Sequence, residues 1–107
     1  FNKTDNLPKI KLDQLEAAFQ DVLKRAEIYA SHTIESETLS VRERMSSILI
    51  NINKNGTIKF TECFTYSEGR MGAIVTFLAI LEMVKESLID IIQNEDFSII
   101  YLQTKTS

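Results

Sequence analysis

Residues 74–93, IVTFLAILEMVKESLIDIIQ, hold thirteen apolar residues out of twenty. No other stretch of the chain limits its fold so tightly. Glu82, Lys85, Glu86 and Asp90 interrupt it, and a membrane-spanning helix needs about 18 or more consecutive apolar residues, so a transmembrane reading fails. The stretch belongs inside a folded domain, and a chain of 107 residues has limited material with which to bury it.

Its first part reads as a long helix, starting with Ser67 as N-cap and running to about Glu86. At 100° per residue, Ile74, Leu81, Val84, Ala73 and Ile80 fall within about 60° of Phe77 and make a complete core face. Leu78, Met71, Val75, Ala79 and Met83 spread from about 100° to about 240°. A helix apolar that far round is either deeply buried or touches a second partner. The runs LIDIIQ and FSIIYLQ, either side of the polar NED, predict a β-hairpin. Ile89, Ile91, Ile100 and Leu102 share one face of it, and Leu88, Ile92, Ile99 and Tyr101 the other. A hairpin with one wet face should alternate apolar and polar, so one set completes the core and the other marks an interaction surface. The alternative is a tight core with residues 1–30 folded over the patch.

Upstream, Leu12, Leu15, Phe19, Val22, Ala26 and Tyr29 recur at three and four spacing, the mark of an amphipathic helix with a narrow, coiled-coil-like seam. Asp13 and Glu16 read as its capping box, and Pro8 bars a much earlier start. SHTIESET (31–38) reads as a linker. Ser40 and Glu43 make a second capping box. Val41, Met45, Ile48, Leu49 and Ile52 line one helix face, and Gly56 supplies the stop. TIKF (57–60) is a short β run, and Thr61 caps a brief helix to Tyr66. The order from residue 41 is helix, short strand, short helix, long helix, strand, strand. That is a winged helix, a helix-turn-helix variant ending in a β-hairpin. The predicted class is α+β, mainly α, with an amphipathic helix and linker at 1–37 and a winged-helix domain at 38–107.

The charge argues against reading DNA. The chain carries −3 overall, and only residues 38–56 are locally basic. The long helix offers Arg70 and Lys85 against Glu82 and Glu86, while Asp90, Glu95 and Asp96 sit in the wing. Phosphate contacts supply most non-specific DNA affinity, and here the sign is wrong.

Nothing in the sequence points to catalysis, a metal or a cofactor: there is no Gly-rich phosphate loop, no Cys/His cluster and no nucleophile with a base in reach. His32 lies in the linker without a second ligand-type residue at a sensible spacing. Cys63, the single cysteine, reads as a packed thiol rather than a nucleophile, and its lack of a partner fits a reducing cytosol. There is no signal peptide, and the absence of an initiator Met predicts a fragment of something longer.

The ordered set LSVRERMSSIL, GTIKFTECF and R…VTFLAILEMVK…IDIIQNEDFSII resembles the C-terminal winged-helix domain of the ScpA family, the kleisin subunits of bacterial SMC–ScpA–ScpB condensins. The resemblance covers about residues 38–103. Its most specific element is TFLAILEMVK (76–85), with Gln93 eight residues on and Phe97 at the turn. The upstream helix also resembles the segment before that domain. The resemblance implies a cytoplasmic, nucleoid-associated, non-enzymatic interaction module. Its winged helix binds the SMC ATPase head and helps close a ring for chromosome condensation and segregation. A ScpB dimer grips the preceding segment, and chromosomal DNA is met only through the complex. Residues implied for the head are Phe77, Leu81 and Gln93, joined by the exposed hairpin set Ile92, Ile99 and Tyr101, which is more apolar than the family pattern. Leu12, Leu15, Phe19 and Val22 serve either ScpB or helix packing. Other readings stay open at this point: a DNA-binding transcription regulator, and a subunit that self-associates through helix 10–30.

Overall fold

A computed structural model of the chain describes residues 9–30, 40–93 and 99–105. The linker with His32, the hairpin turn with Phe97 and the side chain of Tyr29 lie outside the described residues. The elements are α1 (Lys9–Ala30), α2 (Val41–Asn55), β1 (Thr57–Lys59), two 3-10 turns (Phe60–Cys63 and Tyr66–Glu68), α3 (Gly69–Lys85), β2 (Ile89–Gln93) and β3 (Ile100–Thr104). The three strands form one antiparallel sheet in the order β1-β3-β2, with Ile58 opposite Leu102 and Leu102 opposite Ile91. This is a winged helix preceded by an amphipathic helix.

Local chemistry sets the boundaries. Ser40 caps α2, its Oγ accepting the Glu43 N–H at 3.2 Å. Gly56 ends α2 at φ +89°, where a side chain would be strained, and its N–H donates to the Ile52 carbonyl at 2.6 Å. Three expectations are corrected. First, α1 begins at Lys9, so Asp13 lies inside the helix and is no cap; Lys9, Ile10 and Lys11 carry nothing that opposes helix. Second, the expected short helix is two 3-10 turns, because Phe64 and Thr65 are extended between them. Third, Ser67 lies in the second turn and does not cap α3; Gly69, at φ +78°, redirects the chain there.

The core draws on every element. Leu15, Phe19, Val22 and Ala26 of α1 join Ile48 and Ile52 of α2, Ala73, Ala79, Ile80 and Met83 of α3, and Ile58, Ile89, Ile91, Ile100 and Leu102 of the sheet in one cluster. Four rings tie α1 to the rest. Phe19 stacks on Phe77, Phe60 meets both Phe64 and Phe77 edge-on, and Phe19 lies tilted 6.2 Å from Phe64. The core face of α3 is partly as expected, with Ala73, Ile80 and Val84 buried, but it is wider and shifted. Thr76, Ala79 and Met83 are fully buried, and they lie roughly 100–160° round the helix from Phe77, while Phe77, Ile74 and Leu81 are half-buried. The reason is that α3 packs against both α1 and α2. Two neighbours on different sides absorb much of the apolar surplus of α3.

Candidate partner-binding surface

The sheet has one inward and one outward face. Ile58, Ile89, Ile91, Ile100 and Leu102 point into the core. On the outer face, β1, β3 and β2 contribute two rows across the strands: Lys59, Tyr101 and Ile92, then Thr57, Gln103 and Asp90. Ile99 extends the same side of β3 and is 46% exposed. Tyr101 and Ile92 are cross-strand partners and both half-buried. Adjacent cross-strand pairs of this kind brace each other, so the outer face presents a fixed apolar platform. Lys105 closes one end of it, its Nζ donating to Asp90 Oδ1 at 3.4 Å.

The structure brings together three of the residues expected on sequence grounds: Ile92, Ile99 and Tyr101. Gln93 is set apart from them. It lies opposite Ile100 on β3 and lines a groove of ≈ 540 Å³ between the hairpin and α1, whose walls include Ala17, Ala18, Lys59, Phe60 and Ile99. Phe77 and Leu81 are on α3, half-buried against the core, and the rings in contact with Phe77 are Phe19 and Phe60. In the N-terminal helix, Leu15, Phe19 and Val22 are buried within the chain, while Leu12 is 39% exposed. The groove was not anticipated. Its sequence signal was slight: adjacent alanines, Ala18 flanking the seam of α1 and Ala17 exposed beyond it.

Two further groups bear on chemistry. The Cys63 thiol is buried, and burial first, then the nearby Glu62 carboxylate, pushes it up to about 12. Its Sγ donates to the Lys59 carbonyl at 3.6 Å. This is a packed thiol, since nucleophilic cysteines are partly exposed and lowered. At the end of α3, the hydrogen bond that a protonated Glu86 carboxyl donates to Glu82, with desolvation and the repulsion of that neighbour behind it, holds Glu86 above its ordinary range. Among the described residues, no group of three or more His, Cys, Asp or Glu side chains is placed to hold a metal. No described helix is long and apolar enough to cross a membrane.

The family model described as Segregation and condensation protein ScpA matches residues 5–105. The chain belongs to this family. Relatives named Segregation and condensation protein A agree with it over nearly its whole length. The protein from Coxiella burnetii is 46% identical over 98 residues, covering 92% of this chain and 37% of the relative. That from Xylella fastidiosa strain 9a5c is 46% identical, covering 91% and 32%. That from Listeria welshimeri is 34% identical, covering 90% and 40%. The chain therefore spans about a third of the length of the Coxiella and Xylella relatives.

Proposed function

We propose that this chain is the C-terminal module of a bacterial kleisin and that the outer sheet face seats on an SMC ATPase head. In this reading it helps close the SMC–ScpA–ScpB ring that condenses and segregates the chromosome, in the cytoplasm and on the nucleoid. It has no catalytic role, and DNA is met only through the assembly. The observation that carries the reading is the Ile92–Tyr101 pair with Ile99, an apolar platform on the side of the sheet turned away from the core. Interfaces draw most of their energy from a few such aromatic and aliphatic anchors in a desolvated centre. Membership of a family named for segregation and condensation supports the assignment. Gln93, in the groove beside the platform, adds an amide that both donates and accepts.

The residues Phe77 and Leu81 take a supporting part: they hold α3 under α1 and keep the sheet in register. Because Leu15, Phe19 and Val22 are spent inside the chain, a ScpB contact is proposed for the exposed side of α1 around Leu12 rather than for its seam.

A DNA-reading winged helix is disfavoured on geometry as well as charge. The long helix of such a domain must enter the major groove, and here α1 lies along the Phe77 side of α3. Its open side carries Met71 and Leu78, and Lys85 there is offset by Glu82 and Glu86, a face with little to attract phosphate. Hydrogen exchange with and without purified SMC head tests the proposal. Protection should concentrate in β2 and β3. Protection confined to α2, or absent everywhere, would contradict it.

A further inference from the structure

We infer that the groove between α1 and the hairpin receives an apolar side chain flanked by a carboxylate, supplied by the partner that covers the outer sheet face. This makes α1 part of the partner site. The inference rests on the reading that this face meets an SMC head, and it adds the chemistry of what must enter beside it.

Three observations carry it. The groove has ≈ 540 Å³, within the range of about 300–1,000 Å³ that takes a specific group, and it opens beside Ile99 at the edge of the platform. It exists because α1 places Ala17 and Ala18 there, where its neighbouring surface positions carry Gln14, Asp21, Lys24 and Arg25; a long side chain at either alanine would fill it. Phe60 and Ile100, both buried, form an apolar floor. Its charge is selective. The described lining holds Lys59 and Arg25 and no carboxylate, in a chain of net charge −3. Arg25 pairs with Asp21 at 3.1 Å, but both ends of that pair are more than half exposed, so it is weak and readily exchanged. A carboxylate arriving with an apolar side chain would find two cations at the rim, and charge-assisted hydrogen bonds in a partly dry groove are the strong kind.

The test is a calorimetric titration of the 107-residue chain with cognate SMC head, beside Ala17→Trp and Arg25→Glu. Position 17 is exposed, so Trp there fills the groove without entering the core, and Arg25→Glu reverses the rim charge on α1, away from the outer sheet face. Each variant should keep wild-type circular dichroism and melting temperature yet bind the head about tenfold or more weakly. Wild-type affinity in either folded variant overturns the groove proposal while leaving the outer-face reading intact. Failure of the wild type to bind overturns both. A mass doubling of the free chain that Ala17→Trp abolishes would assign the groove to a second copy and also overturn the proposal.

Discussion

Phe19 of α1 lies flat on Phe77 of α3, with ring centroids 4.1 Å apart and planes within 6° of parallel. This contact joins α1 to α3. A helix that reads in the sequence as a separate N-terminal element is packed, through its aromatic residue, on the longest apolar helix of the winged domain. Phe→Ala in a packed core costs about 3–5 kcal/mol, so Phe19→Ala should lose most of the chain's stability in denaturant unfolding. Phe77→Ala, at a half-buried position, should lose less. The double variant should fall short of the sum by about 0.5–1.5 kcal/mol, the coupling expected of an aromatic pair. Strict additivity, or a separate early melting of α1, would show that the two helices are not one cooperative unit.

The second prediction concerns Gly72. Arg44 of α2 donates two hydrogen bonds to Glu68, both at 2.8 Å and largely shielded from solvent. A methyl group built on Gly72 would overlap the Glu68 Cβ and stand 2.6 Å from its Oε1. In an exposed helix Gly→Ala gains about 1 kcal/mol. Here it should destabilise, because Glu68 must move and its charged hydrogen bonds, worth about 1.5–3 kcal/mol each, are disturbed. The melting temperature should fall, and Glu68→Gln should fall with it. A rise for Gly72→Ala would contradict the geometry.

Cys63 supplies a chemical probe of folding. Its thiol is raised from 9.0 to about 12, chiefly by burial. At pH 8 a disulfide reagent should leave the native chain unmodified and label it at the rate of global unfolding. The sign of the pH dependence follows. The folded state holds the proton more tightly than the unfolded state, so the stability tied to this group is complete below pH 9 and is lost as pH rises from there through about 12. Fast labelling of the folded chain at pH 8 would contradict the burial of the thiol.

Much of the fold is legible in the residues. The periodicity of α2, its Ser40 cap and Gly56 stop, the β-rich runs of the hairpin and the seam of α1 all follow from local chemistry that tertiary packing did not override. The face of α3 is different. Phe77 is the natural centre of the helix when read alone, and Ala73, Ile80 and Val84 of that face are buried, yet Val75, Thr76, Ala79 and Met83 are buried too while Phe77 is only half-buried, because two helices lean on α3 from different sides and no periodicity in α3 itself records where they lie. The short helix expected up to Tyr66 gives way to two 3-10 turns for a similar reason: Phe64 and Thr65 have side chains that tolerate either state, and burial of Phe64 in the ring cluster chooses the extended one. The hairpin pattern announced two apolar faces, and packing decides which is wet. The groove depends on two alanines meeting a strand tip more than seventy residues away in sequence, a juxtaposition that only the fold creates.

The central claim is that the chain meets an SMC head through the outer sheet face. Its most direct test is a calorimetric titration of purified SMC head with the wild-type chain and with Tyr101→Lys, whose side chain is half-exposed and removable without emptying the core. The account predicts saturable wild-type binding, weakened about a hundredfold in a variant of unchanged melting temperature, as for loss of a central interface anchor. Equal binding by the two proteins, or no binding by a well-folded wild type, would contradict it.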